Sequence, residues 1–138
     1  MKSFEELDCW KKAASLRRRV SALVKTFPAE EKYRLVDQMI RASRSATAQI
    51  AEGFDRFHFQ ENIQFCRQAR GSVFELIDHL ITSNEEKLIS NETLAEIRFE
   101  IDSCLAVLNG YINYLAKAKA SSKVEEPVEV YARLTDND

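Results

Sequence analysis

Seven arginines are the residues of this 138-residue chain whose chemistry best suits recognition: Arg17, Arg18, Arg41, Arg44, Arg56, Arg67 and Arg70. A guanidinium offers a phosphate or carboxylate two parallel hydrogen bonds, so such a set fits contacts to phosphate groups. The competing fate is pairing with Glu52, Asp55, Glu61 and Glu75, within one chain or between copies. Surface charges more often end in networks of that kind. Four aromatics stand beside the arginines in sequence. Trp10, Phe54, Phe57 and Phe59 are able to stack on unpaired bases, but at helical spacing such residues more often fill a core or a subunit contact.

Catalytic chemistry finds no comparable set. Glu52 and Glu75 invite a carboxylate-pair reading, yet metal-binding bundles combine carboxylates with E-x-x-H, which this chain lacks. Structural pairing or capping is the expected role of both. His58 and His79 have no nucleophile or ligand set around them in sequence and are expected at the surface. Cys9, Cys66 and Cys104 form no C-x-x-C and all fall on apolar seams, as buried free thiols do. No Gly-rich phosphate loop or G-x-S-x-G occurs. The expectation is therefore no catalytic residue, no cofactor, no metal and no enzyme activity.

The elements that must position these groups are helices. Three Gly and two Pro leave little material for tight turns, so sheets are unfavoured. Ser3-Phe4-Glu5-Glu6 fits a capping box and predicts that helix one starts near Phe4. Cys9, Ala13, Leu16, Val20, Leu23 and Phe27 continue it as one seam to Pro28, with Arg17-Arg18-Arg19 fanning over the remaining surface. Helix two is expected to begin between Pro28 and Glu31. It carries one seam of Val36, Ile40, Ser43, Thr47, Ile50 and Phe54 and a second of Leu35, Met39, Ala42, Ala46 and Gly53. Two seams make it a central helix, and its small-residue stretch Ser43–Gly53 predicts the tightest packing.

Phe54 to Gln60 is the expected connection to helix three. That helix has a seam of Cys66, Ala69, Val73, Leu76 and Leu80 beside a seam of Ile63, Phe74, Ile77 and Ile81. Thr82 to Ser90 is then a connection. Helix four follows with Leu94, Ile97, Ile101, Cys104, Leu108, Tyr111 and Leu115 at alternating spacings of three and four. The fold class is all-α, a single-domain antiparallel up-down-up-down four-helix bundle over residues 1–119. Residues 120–138 are expected to be a flexible tail, although Val128, Val130, Tyr131 and Leu134 offer docking groups.

The start of the chain resembles no signal peptide and no apolar run reaches membrane-spanning length, so a cytoplasmic protein without membrane partners is expected. Charge is uneven. Residues 1–70 carry +5 and residues 71–138 carry −7, for −2 in all. Such halves suit a basic face with an anionic partner, or complementary faces that meet in self-assembly.

Several segments resemble one known family. Phe4…Leu7-Asp8-Cys9-Trp10-Lys11-Lys12-Ala13 is similar to its opening F-x-x-L-x-x-W-x-K-A, and Phe27-Pro28-Ala29-Glu30-Glu31-Lys32-Tyr33-Arg34-Leu35 to its F-P-x-x-E-x-Y-x-L. Gln38-Met39-Ile40-Arg41-Ala42 leads to Ile50-Ala51-Glu52-Gly53, similar to Q-x-x-R-A…N-I-A-E-G, and Ala69-Arg70-Gly71-Ser72-Val73-Phe74-Glu75 is similar to A-x-G-S-x-x-E. The family is that of the four-helix-bundle proteins encoded in intervening sequences of bacterial 23S ribosomal RNA genes, and the likeness spans residues 3–115. Gln49 stands where the family usually has Asn, and Asp55 where it often has Gly.

The resemblance implies a ring-like homopentamer. It also links the chain to the accessory protein of diversity-generating retroelements, and so to RNA or DNA and a reverse transcriptase-type partner. The expectation is a non-enzymatic, homo-oligomeric bundle that binds nucleic acid or a nucleic-acid-processing partner through the seven arginines, with Phe54, Phe57 and Phe59 at the oligomer interface. The alternative is a ring-forming protein–protein assembly module that binds no nucleic acid.

Overall fold

Why the chain changes direction where it does is settled by a few local contacts. A computed structural model describes residues 2–125, with side chains through residue 122. It contains four α-helices, α1 (Asp8–Leu23), α2 (Leu35–Phe54), α3 (Phe59–Glu85) and α4 (Asn91–Glu125), with short 3-10 turns at Phe4–Glu6, Val24–Thr26 and Ala29–Glu31. No strand occurs among the described residues. The helices pack as one unit, α1 against α2 and α4, and α3 against α2 and α4.

Ser3 does cap, but it caps a 3-10 turn: its Oγ accepts from the Glu5 amide at 3.1 Å. Leu7 is extended and buried, so α1 starts at Asp8 rather than at Phe4. A cap satisfies the same orphan amides in either helix type, and burial of Leu7 breaks the run. Helix two likewise begins at Leu35, later than expected, where the Glu31 carboxylate accepts from the Leu35 amide at 3.3 Å.

The connection between α2 and α3 shrinks to residues 55–58, because Phe54 ends one helix and Phe59 opens the next. Helix three ends at Glu85 in a Schellman corner. The Leu88 amide donates to the Ser83 carbonyl at 2.8 Å, and the Lys87 amide to the Asn84 carbonyl at 3.0 Å. Lys87 occupies the left-handed position, with φ at 61°. Ser90 then caps α4, its Oγ accepting from the Thr93 amide at 3.1 Å.

The predicted seams form the core. Cys9, Ala13, Leu16 and Val20 of α1 meet Met39, Ala42, Ala46 and Ile50 of α2, Ile63 to Leu80 of α3, and Ile97 to Leu115 of α4. Ala14, on no predicted seam, is also fully buried. The second seam of α3 departs from expectation: Ile63 is buried, Ile77 is half-buried and Phe74 is 55 % exposed. Two neighbouring helices leave that flank of α3 uncovered within one chain.

Helix four passes residue 119, the expected end of the bundle, and continues to Glu125. Alternating Lys and Ala keep good helix propensity after the apolar seam ends. Ala118 still packs on the core, and the Lys119 ammonium donates to Gln60 Oε1 on α3. The remainder of the expected tail, with Val128, Val130, Tyr131 and Leu134, lies outside the described residues.

The small-residue centre of α2 packs as predicted. A Cβ on Gly53 would stand 2.7 Å from Asn62 Oδ1 and 2.9 Å from Phe65 Cβ, so glycine is what lets α3 approach here. Ser43 and Thr47, both buried, satisfy their hydroxyls locally by donating to the Ile40 and Arg44 carbonyls at 3.0 and 3.1 Å. Ser72 donates to Ser45 across the α2–α3 contact at 3.0 Å.

Candidate functional site

The seven arginines do not form one patch. Arg17, Arg18 and Arg44 come together along the groove between α1 and α2. Arg17 is half-buried and held from two directions: its Nη1 donates to Thr47 Oγ1 at 2.9 Å, and its guanidinium carbon lies 5.8 Å from the centre of the Trp10 ring. Trp10 is braced in turn by the edge of Phe4, with ring centres 5.5 Å apart.

The groove has two connected halves that share Arg17 and Arg44. One, of about 420 Å³, is walled by Phe4, Trp10, Thr47, Ala48 and Ala51. The other adds Arg18, Ser21, Ile40 and Ser43. Neither half is lined by a carboxylate. Past Phe4 and Ala51, Glu52 and Asp55 line the next hollow beside Lys2 and Ser3.

The other four arginines go elsewhere. Arg41 lies in the groove between α2 and α3 with Glu75, Ser45 and Ser72, and pairs with Asp37 at 3.7 Å. Arg56 pairs with Glu52 at 3.9 Å and sits over the Phe65 ring at 4.7 Å. Arg70 donates to Asn109 Oδ1 on α4 at 2.7 Å. Arg67 is exposed one turn before it on α3.

The expected neutralisation by Glu52, Asp55, Glu61 and Glu75 is thus realised at Glu52, while the carboxylate paired with Arg41 is Asp37. Its i, i+4 spacing is the signal that finds it in sequence. Glu75 instead meets His79 Nε2 at 3.1 Å, and the His79 side chain is mostly enclosed rather than at the surface. Arg19, outside the predicted set, fastens α1 to α4 through Glu96 at 3.0 Å and Glu100 at 3.5 Å.

Among the interface candidates, Phe57 is 69 % exposed, Phe54 is half-buried against the core, and Phe59 is 2 % exposed inside it. Phe59 is therefore a core residue in the single chain. It continues the Ile63–Cys66 seam back by one turn, a signal present in the sequence once α3 is started early enough. The larger exposed apolar groups are Tyr33, Phe74, Phe99 and Tyr114 together with Phe57.

The three cysteines are buried free thiols, as expected. Burial pushes Cys9 and Cys66 up to about 12 and Cys104 up to about 11, and the Cys66 charge adds to the rise at Cys9. Cys66 donates to Asn62 Oδ1 at 3.6 Å, and Asn62 Nδ2 donates to the Tyr111 hydroxyl at 3.1 Å. Such thiols are protonated at neutral pH and poor nucleophiles. No group of His, Cys, Asp and Glu able to hold a metal occurs among the described residues. No helix among them is long and apolar enough to cross a membrane.

Four helices around one core, with a cationic groove on one flank, define the class: an all-α four-helix protein. Residues 5–110 match the family model of the 23S rRNA-intervening sequence protein, and the chain belongs to that family. A search of curated proteins gives no match to the chain.

Proposed function

We propose that the protein is a cytoplasmic, homo-oligomeric bundle that binds nucleic acid through the groove between α1 and α2, and acts by binding rather than as an enzyme. The observation that carries this reading is the convergence of Arg17, Arg18 and Arg44 along walls that hold no carboxylate. Guanidinium groups with no carboxylate beside them attract polyanions, and phosphate neutralisation supplies most sequence-independent affinity. The family's name, which refers to a sequence inside a ribosomal RNA gene, agrees with that ligand class.

The bundle is read as up-down-up-down, with neighbouring helices antiparallel. Support comes from partners whose numbers rise on one helix as they fall on the next: Ser45 with Ser72 and Met39 with Ser83 between α2 and α3, and Arg70 with Asn109 and Gln60 with Lys119 between α3 and α4. Exposed Phe57, Phe74 and Phe99 support self-association, with a pentamer the form that the family resemblance favours. A ring without nucleic acid is the second reading, favoured by those same aromatics and by the opposite charges of the two halves of the sequence.

Light scattering of the purified chain and retention of RNA over a salt series test both readings. The proposal expects an oligomer that releases RNA steeply as salt rises. An oligomer without RNA at low salt selects the second reading, and a monomer without RNA overturns both.

A further inference from the structure

Within the α1/α2 groove the two halves differ in chemistry, and that difference points to a finer ligand class. The half beside Trp10 is walled by Phe4, Trp10, Ala48 and Ala51, and the other half by Arg18, Ser21 and Ser43, with Arg17 and Arg44 lining both. An apolar recess joined to a cluster of guanidinium groups is complementary to a planar base attached to a phosphate. We propose that this groove is a seat for one unstacked nucleotide of single-stranded nucleic acid, with the base beside Trp10 and the phosphate on Arg17, Arg18 and Arg44. The inference rests on the nucleic-acid reading above and narrows it to single strands.

Three features favour that occupant. The recess, at about 420 Å³, is the size of a small-molecule site. Its cation is positioned in advance, because Thr47 and the Trp10 ring both hold the Arg17 guanidinium, so little side-chain freedom is lost when a ligand arrives. Ala48 and Ala51 keep the α2 wall low enough for a flat group to lie against it. A base inside a duplex offers only its edge, whereas an unpaired base is free to place its face against an aromatic ring or a guanidinium plane. Arg18 lies in the half away from Phe4, so the strand's phosphates run past Arg18 and Ser21.

Trp10 is the chain's single tryptophan and reports on the recess directly. The test titrates the full chain with a short oligouridylate, the matching oligodeoxythymidylate, an abasic strand of the same length and a duplex, following Trp10 emission and Kd. The single strands are expected to change the emission and to bind about tenfold more tightly than the abasic strand, in line with a base on one stacking platform. The duplex is expected to leave the emission unchanged. Equal response to ribose and deoxyribose strands identifies base and phosphate as the recognised groups, and a ribose preference adds the sugar hydroxyl.

Ala48→Leu, at an exposed helix position, fills the recess without touching the core. It is expected to bring the base-bearing strand down to the affinity of the abasic one. Equal affinity of base-bearing and abasic strands, or an equal emission response to duplex, overturns the seat while leaving nucleic-acid binding intact. No binding of any strand at low salt overturns the seat together with the broader reading.

Discussion

Along α2, the flank turned to α3 carries Ala42, Ala46 and Gly53, all buried, whereas the flank turned to α1 carries Arg44, Ala48 and Ala51 and stays open as a groove. Both are rich in small residues. Their outcomes differ because of what stands opposite. On the α3 side Ser72 meets Ser45, and the backbones close until a Cβ on Gly53 has no room beside Asn62 and Phe65. On the α1 side the opposing residues are Trp10 and Arg17, whose bulk keeps the helices apart at that level. A small residue on one helix does not by itself decide the outcome: Gly53 closes on Asn62 and Phe65, while Ala48 and Ala51 face Trp10 and Arg17 across a hollow.

The exclusion of water from the core behind that closed flank has the largest expected consequence. Cys9, Cys66 and Cys104 are held at about 12, 12 and 11, above their ordinary value of 9.0. The folded state therefore keeps protons that the unfolded chain releases, and stability is full below pH about 9 and falls as pH rises toward about 11–12. Each thiol is expected to cost on the order of 1 kcal/mol per pH unit over that window. Urea denaturation from pH 8 to 10.5 checks it, and a flat profile would show that the thiols are not sealed from water.

Gly53→Val comes next. The new side chain collides with Asn62 and Phe65, and a loss of about 2 kcal/mol is expected in thermal melts. Wild-type stability would mean that α3 is able to step back, which would erase the contrast between the two flanks. Arg17→Gln and Arg44→Gln probe the open side by binding rather than stability. Each is expected to lower the slope of log affinity against log salt for RNA by about 1, while Arg41→Gln, whose charge Asp37 already meets, leaves the slope unchanged. Equal effects from all three would spread the interface over both grooves. The finest contrast is the pair Ala46→Leu and Ala48→Leu, expected to cost about 1–2 kcal/mol on the closed flank and under about 0.5 kcal/mol on the open one. Calorimetry of the two variants measures the difference directly.

How far the sequence revealed this follows from which properties are local. Seams such as Ile97, Ile101, Cys104 and Leu108 are written at helical spacing and are buried as read. The two seams of α2 match its two neighbours, but each of the four helices packs on two others, so α2 is no more central than the rest. Element starts were harder, since Ser3 and Glu31 satisfy amides whether a 3-10 turn or an α-helix follows. Phe59 was misplaced for a related reason: starting α3 late hid the fact that it extends the apolar seam. The arginines were the least legible, because helix periodicity sets direction around one axis but not which neighbour arrives there. Arg17 and Arg44 meet across a groove, whereas Arg70 reaches Asn109 thirty-nine residues away. Phe74 shows the same limit, since an apolar seam reads alike whether it faces its own chain or another.

The corner after α3 also bears on the order in which the chain assembles. Its closure spans only Ser83 to Leu88, with hydrogen bonds that need no residue outside that segment, and Leu88 at its end folds back onto the core. A turn whose ends meet over so short a loop costs little closure entropy, so α3 and α4 are able to associate early, as are α2 and α3 across residues 55–58. Lys87 slows the α3–α4 step, because a side chain in the left-handed region carries a penalty that glycine does not. Refolding after rapid dilution from urea should accordingly be faster in Lys87→Gly than in the parent chain, which would make this corner a pacemaker of folding as well as a bend in the fold.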